Sequence, residues 1–215
     1  IAAPMLARGT TLVLEPFLQL DAELAVLVAR RPSGDLVVYD PVTTIQVEGM
    51  CREVVAPAEV DATIVAEARR LGAAIAESVD AVGILAVELF WADDRLTVNE
   101  LAARPHNTGH HTIDAAVTSQ FENHLRAVLD LPLGDPTLRS PASMVNVVGP
   151  LDGSDPRDRL ARGLGVDAGA RVHLYGKASR PGRKLGHVTV CDEHVAVARR
   201  RAQAVATALG TEVDW

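Results

Sequence analysis

Short apolar runs, separated by turn-forming residues, cover the first hundred positions of the chain. Residues 11–18 and 22–30, both rich in Leu and Val, predict two strands joined by a short polar link. Three shorter strands are predicted at residues 36–39, 43–47 and 52–56. Residues 84–90 and 96–101 predict a β-hairpin with residues 92–94 as its loop. These strands meet through turns, which favours antiparallel pairing.

Three longer stretches have apolar residues at helical spacing. The first helix is predicted to open at Pro57 and to bury a stripe of Val60, Ile64, Ala68, Leu71 and Ile75. Residues 112–129 predict one long helix whose apolar side holds Ile113, Ala116, Val117, Phe121, Leu125, Val128 and Leu129. The third helix covers about residues 193–209, ends before Gly210, and is predicted to bury Val195, Ala198, Ala202, Val205 and Leu209.

The proline-bounded stretch 136–141 predicts a linker between two units. Three further strands follow it, at residues 142–148, 171–175 and 184–190. Strands outnumber helices, so the predicted fold class is α+β with antiparallel sheets and helices. The predicted units are residues 1–138 and a small β-rich unit of residues 139–215.

The composition indicates aliphatic cores and an acidic charge balance. Of 215 residues, 48% are hydrophobic but only 3% are aromatic, and the net charge is −7. This balance argues against a general nucleic-acid binder, although a local basic patch could hold a phosphate. No apolar stretch has the length of a membrane helix, and no signal peptide is evident. Cys51 and Cys191 are far apart, as is typical of reduced thiols in a cytosolic protein.

Two glutamates near the ends of the predicted hairpin are the first candidates for chemistry. Glu88 interrupts an apolar strand, and Glu100 follows Asn99. Carboxylate and amide oxygens can bind Mg²⁺ together with phosphate oxygens and water. Because side chains alternate along a strand, the glutamates share a face only if the loop is odd in length or a strand is bulged. For Glu88 alone, a solvated position on a half-exposed strand is the simpler interpretation.

The segment after the hairpin concentrates cationic, amide and imidazole groups. Arg104, His106 and Asn107 suit the oxygens of a phosphate or a carboxylate. His106 and His110 are four positions apart, which on a helix would permit a shared zinc ion, but the proline and glycine of this segment favour a loop. A polar loop that only caps the following helix is the structural alternative.

A basic cluster occupies the predicted turn between the last two strands. Its four cations, in eight residues, are Lys177, Arg180, Arg183 and Lys184. Pro181-Gly182 predicts a tight turn from which these side chains can converge on a phosphate monoester. The alternative is a solvated basic turn with no ligand.

Several runs in combination resemble the N5-carboxyaminoimidazole ribonucleotide synthetases, the ATP-grasp carboxylases of purine synthesis. They cover residues 14–17, 23–30, 88–90, 98–110, 118–122 and 180–187, in order along nearly the whole chain. The resemblance implies the rear part of an ATP-grasp domain followed by a small β-rich domain. It also implies an ATP- and Mg²⁺-dependent ligase that activates bicarbonate as carboxyphosphate and carboxylates aminoimidazole ribonucleotide.

The same resemblance implies roles for the candidate residues. The metal would be held by Glu88 and Glu100. The nucleotide residues would be Glu15, Phe17, Leu18, Glu23 and Asn99, with Glu15 at the adenine and Glu23 at the ribose. The residues where bicarbonate, γ-phosphate and substrate meet would be Arg104, His106 and Asn107. The 5′-phosphate of the ribonucleotide would bind to Lys177, Arg180, Arg183 and Lys184.

The chain starts without methionine near the adenine hinge, so we expect it to be the rear part of a longer polypeptide. Half of a nucleotide cleft excludes water poorly, and the isolated chain is therefore expected to be inactive. A cytoplasmic homodimer, with no nucleic-acid or membrane partner, is expected. The alternatives are another ATP-grasp carboxylase or transformylase acting on a different ribonucleotide, and a non-catalytic nucleotide-binding or dimerisation module.

Overall fold

Nine strands form one antiparallel sheet in the computed structural model, which describes residues 2–213 and residue 215. The strands are β1 (Ala22–Arg30), β2 (Leu36–Val38), β3 (Val42–Val47), β4 (Met50–Ala56), β5 (Gly83–Ala92), β6 (Arg95–Ala102), β7 (Ala142–Val148), β8 (Arg171–Leu174) and β9 (Lys184–Cys191). Their order is β6-β5-β1-β3-β4-β7-β9-β8, and β2 pairs with the end of β1. The predicted α+β class with an antiparallel sheet is confirmed.

The described part of the chain contains six α-helices. They are α1 (Ala2–Ala7), α2 (Ala62–Ser78), α3 (Thr112–Ala115), α4 (Gln120–Val128), α5 (Leu160–Val166) and α6 (Val195–Ala208). Helices α2 and α6 bury aliphatic residues of one face, and α3 and α4 contact the opposite face. None of these helices has the length and apolar character needed to cross a membrane.

A buried carboxylate fixes the last helix to the middle of the sheet. Glu53 on β4 is fully buried and accepts hydrogen bonds from Ser143 Oγ at 2.8 Å and Arg199 Nε at 3.0 Å. Gln203 and Trp215 also donate to it. Because β4 pairs with β7, the sheet runs without a break from the first predicted unit into the second. The division at residues 138 and 139 remains a prediction.

One predicted strand and the predicted first residue of one helix are wrong. Residues 10–20 form no strand, and within them Leu14 and Phe17 are 98% and 92% exposed. A strand needs a neighbour for its backbone groups, and among the described strands β1 is already paired with β2, β3 and β5. Helix α2 opens at Ala62 rather than at Pro57, because Ala58 N still donates to Pro41 O at 2.8 Å beside the sheet.

The predicted long helix over residues 112–129 is also wrong, because it is broken into α3 and α4. Ala116 has extended backbone and forms a β-bridge with Leu138. The returning chain takes further backbone hydrogen bonds, since Val117 N donates to Thr137 O at 2.9 Å. Ser119 then caps a new helix by accepting from the backbone nitrogen of Glu122. Competition from this distant segment ends the first helix after one turn.

Candidate active site

The β5–β6 hairpin places Glu88 and Glu100 directly opposite each other. Its loop holds two residues, Asp93 and Asp94, both with positive φ as in a type I′ turn, whereas the sequence predicted three. A two-residue loop alone would send the glutamates to opposite faces. However, the register shifts next to Glu88, where Asn99 is an extra residue on β6, and Glu100 becomes the Cα partner of Glu88. The bulge therefore meets the geometric requirement for a shared cation.

Three carboxylates crowd this part of the sheet. Glu23 lies two residues before the partner of Glu88 on β1, and so on the same face. Burial raises the pKa of Glu88, and the charge of Glu100 raises it further. Burial and the charge of Glu88 likewise raise the pKa of Glu23. Lys184 and Arg104 act in the opposite direction on Glu88 but do not cancel the rise. A divalent cation bound by carboxylate oxygens would relieve this repulsion.

Gln120, the first residue of α4, holds the loop that follows the hairpin. Its side chain is fully buried, accepts from the backbone nitrogen of His106 at 2.9 Å and donates to the oxygen of the same residue at 2.7 Å. Gly109 packs against it so closely that a Cβ there would lie 2.6 Å from Gln120 Oε1 and 2.4 Å from Leu27 Cδ1. The loop is thus positioned through its backbone, which leaves its side chains free for chemistry.

The side chain of His106 extends from this loop towards Glu88. Its Nε2 is 3.7 Å from Glu88 Oε1, and its Nδ1 is 3.0 Å from Thr108 Oγ1. Burial, followed by the charge of Arg104, lowers the pKa of His106, so that the imidazole is neutral at pH 7. The Arg104 side chain is exposed and donates to the oxygen of Pro105 at 3.2 Å.

Asn107 joins the same loop to the second predicted unit. Its amide exchanges two hydrogen bonds of 2.8 Å with Asn146 on β7, and Lys184 on β9 donates to its Oδ1 at 3.3 Å. Asn146 also donates to the oxygen of Cys51 at 2.9 Å. Burial lowers the pKa of Lys184. The sequence reasoning assigned no role to Asn146, although an amide in the apolar strand β7 was a visible signal.

A cavity of 480 Å³ lies between the segment before β1 and the β5–β6 hairpin. Glu15, Phe17 and Leu18 line it on one side, and Phe90 and Asn99 line it on the other. Four of the five predicted nucleotide residues therefore face one cavity. The fifth, Glu23, lies with the carboxylates instead.

The basic cluster is built on a tight turn. Arg183 N donates to Arg180 O at 3.1 Å, and Gly182 has a φ of 72°, as in a type II turn with proline at its second position. Gly149 supports this turn, because its nitrogen donates to Arg183 O at 2.8 Å and a Cβ at this position would lie 2.1 Å from Arg180 O. The turn is therefore fixed to the segment after β7.

The four cations of this cluster divide into two groups. Lys177, Arg180 and Arg183 are exposed, and Lys177 Nζ lies 5.2 Å from the centre of the Tyr175 ring. Lys184 is half-buried and reaches the predicted catalytic loop. Among the described residues, none of the four forms an ion pair with a carboxylate. Three cations without counterions on one turn suit an anionic ligand.

The alternative zinc site at His106 and His110 has no support in this geometry. A short 3-10 turn, Asn107–Gly109, separates the two histidines, and the Gln120 amide lies 3.0 Å from Nδ1 of His110. The next histidine, His111, is buried and donates from Nδ1 to Thr108 O at 2.9 Å. These imidazoles fill polar positions around the loop and do not converge on one point.

Two family models match successive parts of the chain. Residues 2–121 match the ATP-grasp domain, and residues 142–201 match the phosphoribosylaminoimidazole carboxylase C-terminal domain. The N5-carboxyaminoimidazole ribonucleotide synthase of Mycobacterium tuberculosis is 46% identical over 210 residues, which are 95% of this chain and 49% of that protein. The chain thus spans about half the length of the curated relatives it matches.

Solved structures are similar over the same span. The N5-carboxyaminoimidazole ribonucleotide synthetase of Thermus thermophilus is 37% identical with a TM-score of 0.87, covering 100% of this chain and 57% of that one. The synthase of Aspergillus clavatus, solved with ADP and 5-aminoimidazole ribonucleotide, is 34% identical with a TM-score of 0.81, covering 90% of this chain and 52% of that one. The chain therefore belongs to the ATP-grasp family.

Proposed function

We propose that this chain supplies the metal, ribose and ribonucleotide sites of an N5-carboxyaminoimidazole ribonucleotide synthetase. In the proposed reaction, ATP and bicarbonate give carboxyphosphate, and the exocyclic amine of 5-aminoimidazole ribonucleotide is then carboxylated with release of ADP and phosphate. The names of the relatives and the ligands of the Aspergillus clavatus structure support this assignment. The reaction belongs to purine synthesis, and a cytoplasmic location is proposed with it.

The observation that carries the proposal is the bulge that sets Glu88 opposite Glu100. The donor set fits Mg²⁺, since two carboxylates and the amide of Asn99 leave further positions for phosphate oxygens and water. When bound, the ion would neutralise charge on the nucleotide phosphates. The cavity lined by Glu15, Phe17 and Leu18 is proposed for the adenine, and Glu23 for the ribose.

The proposed reacting centre lies between the carboxylates and the loop held by Gln120. A neutral His106 can accept or donate a hydrogen bond beside Glu88, and Asn107 and Lys184 offer donors to an oxyanion. Arg104 adds an exposed guanidinium for bicarbonate or the γ-phosphate. Donors fixed by buried contacts can stabilise developing negative charge without reorganising.

The exposed cations Lys177, Arg180 and Arg183 are proposed to bind the 5′-phosphate of the ribonucleotide, with Lys184 linking this turn to the reacting centre. Their lack of carboxylate partners among the described residues supports this role. The phosphate would hold the sugar end of the substrate on the second predicted unit, while the base reaches the loop on the first.

The experiment that tests the proposal joins this chain to the part of the Mycobacterium tuberculosis relative that it does not cover, and measures ADP release. We expect release that depends on bicarbonate and 5-aminoimidazole ribonucleotide in the fusion, and none with the 215-residue chain alone. Faster turnover of a different ribonucleotide in competition would instead indicate another ATP-grasp carboxylase or a transformylase. Absence of Mg-ADP binding to the fusion would indicate a non-catalytic module.

Two substitutions in the fusion separate the proposed roles. Glu100→Gln should lower kcat by about 10²–10³-fold with little change in KM for the ribonucleotide, because it removes charge at the cation. Arg183→Ala should raise that KM by about tenfold and leave kcat nearly unchanged. Arg162→Ala, at an exposed arginine of α5, is the control. If the first two variants have the same kinetic profile, the role assignment is wrong.

The apolar side of α4 supports a proposed homodimer. Leu125 and Leu129 are 60% and 65% exposed, and Val117 and Val128 are also exposed. Exposed apolar patches of this kind mark contact surfaces. Light scattering should show a dimer that Leu125→Glu dissociates and that Leu164→Glu, at an exposed leucine of α5, leaves intact. A dimer that persists in Leu125→Glu would place the contact elsewhere.

A further inference from the structure

Asp114, His173 and His187 form a compact cluster away from the paired glutamates, and we name it the imidazole cluster. His173 on β8 and His187 on β9 are Cα partners in neighbouring antiparallel strands. Their rings are stacked, with centres 4.6 Å apart and planes at 19°. Asp114 lies on α3, which contacts the face of the sheet opposite to α2 and α6. Its Oδ2 is 2.8 Å from Nε2 of His173. One nitrogen or oxygen atom of each residue lies within 4.8 Å of those of the other two.

His187 carries the observation that points to a ligand. Its side chain is 1% exposed, and its Nδ1 is hydrogen-bonded to Tyr175 Oη at 2.8 Å. Its Nε2 is buried and has no hydrogen-bond partner among the described residues. A buried nitrogen without a partner costs free energy, unless something else binds it.

The hydrogen bond to Tyr175 is of the kind that prepares a histidine for a metal. Metal-binding histidines commonly donate a hydrogen bond from one ring nitrogen and bind the ion with the other. If Nδ1–H of His187 donates to Tyr175 Oη, then Nε2 carries the lone pair. The tyrosine would thus fix both the tautomer and the direction of the ring.

We propose that Asp114, His173 and His187 bind a divalent transition-metal ion, with Zn²⁺ as the expected occupant. Two imidazoles and one carboxylate are a ligand set that Zn²⁺ accepts, with a further position for water, whereas Mg²⁺ prefers oxygen ligands. His173 is partly exposed and gives the ion a path from solvent.

The location gives the proposed ion a structural consequence. Asp114 follows the loop of His106 and Asn107, whereas His173 and His187 lie on the strands that flank the basic turn. A bound ion would therefore tie the end of the candidate catalytic loop to β8 and β9. The ring centre of His110 is 5.2 Å from that of His187.

The test is titration of the 215-residue chain with Zn²⁺ alone, in a Glu100→Gln background that weakens the carboxylate site. We expect one ion per chain, and about 5–10 °C higher Tm at a 100-fold excess over Kd. His173→Asn and Asp114→Asn should weaken the binding by at least about tenfold. His194→Asn, at an exposed histidine, is the matched control and should bind as tightly as its parent.

A second measurement does not depend on the folding of any variant. In the ¹⁵N spectrum of the histidine rings, Zn²⁺ should shift Nε2 of His187 and leave the rings of His194 and His124 unchanged. No zinc binding, or binding that is unchanged in both His173→Asn and Asp114→Asn, would overturn the proposal and leave the cluster as a hydrogen-bonded pair. A zinc-induced shift confined to histidines outside the imidazole cluster would overturn it as well.

Discussion

In the β5–β6 hairpin the apolar residues face the helices and the glutamates face the candidate site, whereas in α4 the apolar side faces solvent and the amides face the core. Leu85, Val87 and Leu89 pack beneath α2, as strand alternation predicts. In α4, by contrast, Leu125 is 60% exposed, while Gln120 is fully buried. The apolar side predicted for residues 112–129 is therefore mostly on the surface.

The hairpin and α4 differ because their contacts come from different distances along the chain. The two strands of a hairpin pair with each other, so alternation and turn geometry decide their faces locally. Helix α4 is oriented by distant groups: Asn123 donates to Tyr39 Oη at 2.8 Å and accepts from Gly134 N at 2.7 Å. Buried amides with these hydrogen-bond partners are stable inside a protein. Their hydrogen bonds outweigh the free energy that burying Leu125 would contribute.

The largest expected effect tests whether the hairpin brings both glutamates to one ion. In the active fusion, Glu88→Gln and Glu100→Gln should each lower kcat by about 10²–10³-fold. Because both residues are proposed to act on the same cation, the double variant should lose little more than either single variant. Steady-state ADP release measures this, with Glu77→Gln on the exposed side of α2 as the control. Multiplicative losses in the double variant would mean that the two carboxylates act independently.

The next largest effect tests whether α4 buries its amides and exposes its apolar side. Gln120→Leu should lower the free energy of unfolding by about 1–3 kcal/mol, because the backbone groups of His106 lose their partners. Leu125→Gln should change it by less than about 0.5 kcal/mol. Urea unfolding measures both, at a concentration where light scattering shows monomers. A larger loss for Leu125→Gln would show that the apolar side is buried after all.

The smallest expected effect is the contribution of His111 to the loss of folding stability at acid pH. Burial lowers the pKa of His111 to about 4, from 6.5 when unfolded. Between these values the unfolded chain binds a proton that the folded chain does not, so stability is complete above pH 6.5 and falls as the pH drops toward 4. His111→Gln should flatten the decline of the urea midpoint from about pH 7 to about pH 4.5, and His194→Gln should not. An unchanged slope in His111→Gln would mean that this ring is protonated in the folded state.

Much of the sheet could be predicted because strand patterns act over short distances. Strands β1 and β7 have the predicted bounds, and α6 buries Ala198, Ala202, Val205 and Leu209 as its spacing indicates. The strand predicted at residues 11–18 failed because an apolar run does not by itself provide a pairing neighbour. The loop of His106 was correctly expected to be irregular, but its position depends on Gln120, to which the helical pattern gave no role.

The sequence by itself determined the antiparallel α+β class, the hairpin with its two acids, and the proline-glycine turn that carries the basic cluster. Each depends on neighbours within a few positions, where alternation, turn residues and spacing suffice. Only the tertiary structure decided that a bulge at Asn99 aligns Glu88 with Glu100, that Lys184 reaches Asn107, and that α4 buries its amides. Those outcomes depend on register and on hydrogen-bond partners 14 to 84 positions away, which local patterns do not encode.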